Sequence, residues 1–101
     1  MSYIEELRDV IRKLHGVESK HLESVPIEET FQGQTVWEGV VEVFQLIGHP
    51  KAFQVFAWSH ETDGKEKRHV TVLQIHPIVS ARDAVRAAIV QEIKGLGTEE
   101  S

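Results

Sequence analysis

The amino-acid sequence predicts a single α+β domain, residues 1–101, built from an antiparallel sheet of three to four strands with an N-terminal and a C-terminal helix. A chain of 101 residues is long enough for one small core. Apolar residues recur at helical spacing near both ends, which indicates two amphipathic helices. Between them, runs rich in β-branched and aromatic residues are separated by short turns, which favours an antiparallel meander.

The first helix is predicted over residues 3–15. Its apolar residues have the spacing of one buried stripe, and they are Tyr3, Ile4, Leu7, Val10, Ile11 and Leu14. Ser2 and Glu5 have the spacing of a capping box, which satisfies backbone N–H groups at a helix start. Gly16 is the expected end, because glycine readily takes the left-handed conformation found after many helices.

The second helix is predicted over residues 81–94. Ser80 is a favourable N-cap, Asp83 lies in the first turn, and Gly95 is the expected end. The apolar stripe is rich in alanine, which allows close packing on a sheet. Residues 96–101 are predicted to be a disordered tail.

Three strands are predicted at residues 35–47, 52–60 and 69–76. Gly39 inside the first of them favours either a bulge or a close approach by a neighbouring group. The preceding segment, residues 17–34, predicts only a short strand before Pro26, followed by a turn at residues 32–34. This short strand would be the fourth of the sheet.

The turns between the strands predict a register that places Val43 opposite Ala57, Phe56 opposite Leu73 and His60 opposite His69. In that register one face lies beneath both helices, and its residues are Trp37, Val41, Val43, Ile47, Phe53, Val55, Ala57, Val70 and Val72. The other face is also apolar, and its residues are Val40, Phe44, Leu46, Phe56, Trp58, Leu73 and Ile75. A register slip of one residue would exchange the two sets but leave both faces apolar.

An exposed apolar face of this size predicts association, because monomers rarely leave such patches uncovered. A homodimer with two-fold symmetry is the favoured arrangement, with the second face as its interface. On this hypothesis Trp58→Glu gives a folded monomer. The alternatives are that one helix crosses to the second face, that residues 17–34 fold over it, or that a different partner or an apolar ligand covers it.

Polar residues at the margin of the second face form a candidate site: Glu42, His60 and His69. Two imidazoles and one carboxylate are able to bind a cation such as zinc, or to act as an acid and base pair. The spacing is not that of a known metal motif, so no metal and no cofactor is assigned to the site. Solvated polar side chains at strand ends are the alternative interpretation.

Composition limits the function classes. The chain has no cysteine, which excludes disulfides, thiolate metal sites and a cysteine nucleophile. A net charge of −5 with scattered basic residues argues against nucleic-acid binding. No apolar run approaches a membrane span and no basic leader precedes one, so a cytoplasmic protein without membrane contact is expected. Phosphate-binding glycine loops and serine-nucleophile motifs are absent, and an enzyme is the less favoured class.

The order of one helix, three antiparallel strands and one helix resembles that of the double-stranded RNA-binding domain, over residues 3–15 and 35–94. That family contacts phosphates with a lysine-rich start of its last helix. Here the corresponding residues 80–84 contain no lysine, so the resemblance implies a fold and not RNA binding. The sequence therefore predicts a self-associating interaction or accessory module. A small-ligand-binding or metal-binding protein, or an enzyme, that uses Glu42, His60 and His69 is the alternative.

Overall fold

The fold is α+β, as the sequence predicts: an N-terminal helix, a four-stranded antiparallel meander and a C-terminal helix. The computed structural model describes the backbone of residues 2–61 and 67–99, and the side chains of residues 2–59 and 68–90. The elements in chain order are α1 (Tyr3–His15), β1 (Glu18–Phe31), β2 (Gln34–Ile47), β3 (Gln54–Glu61), β4 (Lys67–Leu73) and α2 (Ala81–Glu99). Neither helix, over its described residues, is long and apolar enough to cross a membrane.

Both predicted helix starts are confirmed. Ser2 Oγ accepts the backbone N–H of Glu5 at 3.2 Å, and Ser80 Oγ accepts that of Asp83 at 3.2 Å. The predicted end of α1 is also confirmed, since Gly16 has a φ of 73°. The predicted end of α2 at Gly95 is wrong, because the helix continues to Glu99. A glycine inside a helix costs only about 1 kcal/mol and does not by itself end one.

The first strand is much longer than predicted. β1 runs through Pro26 and forms a 14-residue hairpin strand with β2. Proline is compatible with this position because β1 is an edge strand of the sheet. The predicted turn is confirmed at Gln32 and Gly33, whose φ values of 52° and 79° belong to the tight turn that suits a twisted hairpin.

The strand order is β1-β2-β3-β4, and the predicted register was wrong by one residue. Val43 lies opposite Phe56, and Phe56 lies opposite Val72. The turn between β2 and β3 explains the first difference. His49 Nδ1 accepts the backbone N–H groups of Lys51 and Ala52, which shapes this turn so that the N–H of Leu46 reaches the carbonyl of Phe53 at 2.7 Å.

The two helices cover opposite faces of the sheet. Leu7 and Ile11 of α1 pack on one face, which we call the α1 face, against Phe44, Leu46, Val55 and Ala57. Ala84 and Val85 of α2 pack on the other, the α2 face, against Val41, Val43, Phe56 and Trp58. The prediction that both helices lie on the same face was therefore wrong, and the alternative of one helix on each face describes the fold.

The β1–β2 hairpin extends beyond the rest of the sheet. The ladder between β2 and β3 ends at the pair Glu42–Ala57, and residues 34–41 of β2 pair only with β1 among the described strands. We call this part of the hairpin the arm. Where the ladder ends, the hydroxyl of Tyr3 accepts the backbone N–H of Ser59 at 3.0 Å.

Gly39 allows the close approach that the sequence predicted as one of two possibilities. A Cβ atom at this position would lie 3.1 Å from Cη2 of Trp37, so the bare backbone makes room for the indole. The Trp37 ring packs edge-on against Trp58, with ring centroids 5.7 Å apart. Gly39 therefore helps to join the arm to the core on the α2 face.

Candidate functional site

The predicted interface residues do not form one exposed surface. Phe44 and Leu46 are buried beneath α1, whereas Phe56 and Trp58 are buried beneath α2. Leu73 is partly buried against the residues under α1. The prediction of an exposed apolar sheet face was wrong, because each helix covers one face. Self-association itself stays a prediction.

The remaining two members of that set are exposed but lie at opposite ends of the sheet. Val40 belongs to the arm, and Ile75 follows the end of β4. They cannot belong to one compact patch on a single chain.

The predicted polar site is also divided. Glu42 contacts residues of β1, whereas His69 donates a hydrogen bond to Glu6 of α1 at 2.8 Å. The register pairs His69 with Ser59 and His60 with Arg68, so the predicted pairing of His60 with His69 was wrong. The side chain of His60 lies outside the described residues.

Glu42 is the centre of a small polar cluster on the α1 face. Its carboxylate is buried, and its Oε1 atom accepts hydrogen bonds from His21 Nε2 at 2.9 Å and from the hydroxyl of Ser24. The register brings these side chains together, because Ser24 lies directly opposite Glu42 and His21 lies opposite Phe44. The His21 ring also packs edge-on against Phe44, with centroids 5.3 Å apart.

The connectivity of this cluster limits its chemistry. Ser24 and His21 both bond to the same carboxylate oxygen, so the imidazole is not placed between the hydroxyl and the acid. A nucleophilic serine needs its own bond to the base, with the acid behind it. The arrangement instead satisfies a buried carboxylate, as folded proteins require. The alternative of a ligand-binding, metal-binding or catalytic site stays a prediction.

No group of three or more His, Cys, Asp or Glu side chains is close enough to hold a metal ion within the described part of the chain. A second buried carboxylate, Glu29 on the α2 face, has two cationic partners. Arg86 Nε lies 2.7 Å and Arg82 Nη1 3.3 Å from its Oε1 atom. These contacts fix α2 to β1, and they neutralise a charge that would otherwise be costly to bury.

A polar cleft of about 140 Å³ lies between α1 and β1. It is lined by Glu5, Arg8, Asp9, Arg12, Glu18 and Ser19. The two guanidinium groups already pair with carboxylates of the same cleft, and the volume is below that of ordinary ligand pockets. The ion pairs of this cleft therefore connect α1 to β1.

Two histidines meet at the end of α1. The ring of His15 lies edge-on to that of His49, with centroids 6.4 Å apart, and His15 Nε2 shares a hydrogen bond of 3.0 Å with Thr71 Oγ1. Burial lowers the pKa of His15 below its ordinary value of 6.5, and the neighbouring His49 lowers it further. The neutral form of His15 is thus favoured by the fold.

This shift predicts a dependence of stability on pH. Below the ordinary pKa near 6.5, the unfolded chain binds a proton at His15 more readily than the folded chain does. The free energy of unfolding is therefore expected to fall as the pH drops through that value, until the folded His15 also becomes protonated. Urea unfolding of wild type and His15→Gln at pH 7.5 and pH 5.5 tests this. Wild type should lose more stability than the variant, and equal losses would contradict the prediction.

Two features of the surface have no partner among the described residues. Ile47, Phe53 and Ile75 are exposed where β2 ends, β3 begins and β4 has ended, and we call this group the apolar end. Phe53 is 83% exposed, which is unusual for so large an apolar side chain. The second feature is the edge of β2 in the arm that faces away from β1, with which no described strand pairs. Sequence alternation assigned Phe53 to a strand and to the helix-covered face. It could not show that Phe53 belongs to the turn that precedes β3.

Comparison of this chain with protein-family models, with curated proteins and with solved structures found no match.

Proposed function

We propose that this chain is a small interaction module that self-associates, with the contact between two copies at the apolar end of the sheet. The observation that carries this proposal is the exposure of Phe53, together with that of Ile47 and Ile75 at the same end. Exposed aromatic side chains are the common anchors of protein interfaces. Apolar groups exposed at one end of a sheet indicate a contact surface.

The charges near the apolar end support a second copy as the occupant. Glu18 lies opposite Ile47 in the register, and Lys51 belongs to the adjoining turn. One charge of each sign beside the patch lets two copies approach without like-charge repulsion, although each whole chain carries −5. Gln45 and Gln54 form a cross-strand pair beside Ile47, and amides both donate and accept, as a self-complementary contact requires.

Phe53→Glu is expected to convert a dimer of two 11.5 kDa chains into a folded monomer. The substitution puts a charge at the centre of the proposed contact, where an unpaired carboxylate is costly to bury. Because Phe53 has few contacts within its own chain, the fold should tolerate the change. Size exclusion with light scattering measures the mass, and circular dichroism verifies the fold.

Phe31→Glu is the matched control. Phe31 is 65% exposed and lies at the other end of the hairpin, next to the turn of the arm. It should keep the mass of wild type. A wild-type chain that remains at 11.5 kDa up to high micromolar concentration would overturn the proposal, and so would a dimer that survives Phe53→Glu.

A further inference from the structure

We propose that the open edge of β2 in the arm binds an extended, basic segment of another protein as an added strand. This surface lies at the other end of the hairpin from the apolar end, and it gives the module a second, heterologous contact. The proposal depends on the backbone of the arm and on its charge, and it does not require self-association.

The backbone of the arm presents hydrogen-bonding groups to an incoming strand. The N–H of Leu46 points towards β3, since it donates to Phe53. N–H groups alternate in direction along a regular strand, so those of Val40 and Glu38 point to the same side. No described strand pairs with them there. Such an edge is a template for an added strand.

Tyr3 limits where the added strand can lie. Its hydroxyl accepts the N–H of Ser59. Ser59 lies two residues beyond Ala57, the last residue of β3 in the ladder, and its N–H points towards β2. The space beside that point is therefore partly filled by a side chain of α1. Glu38 lies further out on the arm than this point, and it is the residue that we expect the added strand to pair with.

The charge of the arm indicates the chemistry of the partner. Residues 25–41, which form the arm and its turn, contain no lysine or arginine and three glutamates, which are Glu28, Glu29 and Glu38. Glu29 is buried and has partners within the chain. Glu28 and Glu38 are exposed and lie directly opposite each other, an arrangement of like charges that destabilises a hairpin. A lysine or arginine on an added strand would relieve it.

The same charges disfavour a second copy at this edge. Two arms related by a two-fold axis would bring four exposed glutamates together. A basic residue opposite Glu38, with an apolar residue two positions away, instead matches the face that Glu38 and Val40 share. Val40 is 46% exposed and extends the apolar part of that face.

Binding of a fluorescein-labelled peptide tests the proposal. The probe has lysine at its centre, valine two positions away on both sides, and threonine or serine elsewhere, and the comparison peptide has glutamate at its centre. Fluorescence anisotropy is expected to show saturable binding of the lysine peptide, weaker at high salt, and about 10-fold weaker binding of the glutamate peptide. Equal binding of the two peptides, or no saturation, would overturn the proposal.

Charge exchange makes the test specific to the edge. Glu38→Lys should reverse the preference, so that the variant binds the glutamate peptide better than the lysine peptide. Glu23→Lys makes the same change of charge at an exposed position of β1 that lies opposite Val43, outside the arm, and should keep the wild-type preference. A preference that Glu38→Lys leaves unchanged would place the binding elsewhere.

Methylated peptides test the strand pairing without altering the protein. A methyl group on the backbone nitrogen of the central lysine removes the N–H that would face β2, and it should abolish binding. Methylation of the adjacent residue, whose N–H would point away, should leave binding intact. Equal effects of the two methyl groups would argue against an added strand.

The two proposals fail in different ways. Phe53→Glu should bind the lysine peptide as wild type does, since its substitution lies outside the arm. A change of oligomeric mass in Glu38→Lys, with an unchanged mass in Phe53→Glu, would mean that the edge accommodates a second copy and would overturn the heterologous assignment.

Discussion

Trp58→Glu is expected to leave the chain largely unfolded. The indole is 2% exposed and packs with Trp37, Val41 and α2 on the α2 face. Loss of a buried tryptophan side chain costs about 3–5 kcal/mol, and a buried, unpaired carboxylate adds to that cost. Small domains have only about 5–15 kcal/mol of stability in total. Circular dichroism and amide proton–nitrogen spectra would report the loss of structure.

This outcome separates the structure from the hypothesis drawn from sequence alone, which expected a folded monomer from the same substitution. Phe31→Glu is a suitable control, because it introduces the same charge in place of an exposed aromatic ring. A Trp58→Glu chain with wild-type melting temperature would mean that Trp58 does not lie beneath α2.

Phe44→Ala is expected to lower the free energy of unfolding by about 3–5 kcal/mol, as large-to-small substitutions of buried aromatic residues do. Phe44 is 0% exposed and packs beneath Leu7 and Ile11 of α1. The smaller side chain leaves a cavity between α1 and the sheet, and it also removes the ring that His21 packs against. Urea unfolding followed by circular dichroism measures the change.

Val40→Ala provides the comparison within the same strand. Val40 lies on the same side of β2 as Phe44 but beyond the cover of α1, so its truncation should change stability by at most about 0.5 kcal/mol. Similar losses for the two variants would contradict the placement of α1. Together with Trp58, these residues test the helix on each face separately.

The sequence predicted the helices well because their signals are local. Ser2, Gly16 and Ser80 act within one turn of the backbone, and the structure has all three in the predicted roles. The extent of β1 was not predictable in the same way. Pro26 resembles a strand end, and the irregularity between His21 and Glu23 interrupts the alternation that would have indicated a long strand.

The register and the placement of the helices depend on information that periodicity does not contain. Both faces of the sheet are apolar, so alternation could not show which helix covers which face. A one-residue difference in the turn at His49 changes every cross-strand neighbour after it. Glu42 was predicted to have a histidine neighbour on β3 or β4, and its neighbour is His21 of β1. The sequence did not show how β1 pairs with β2, so it could not indicate His21.

The hydrogen bonds of α1 also determine how the sheet can come apart. Strands that are consecutive in the chain are neighbours in the sheet, so each hairpin closes a short loop, and a meander of this kind can open from its outer strand inwards. Tyr3 bonds to Ser59, Glu6 to His69 and His15 to Thr71, across sequence separations of 56 to 63 residues. The outermost strand β4 is thereby held by the first element of the chain. β4 can separate from the sheet only after its hydrogen bonds to α1 break. Local opening at the β4 edge therefore depends on release of α1, the first helix of the chain.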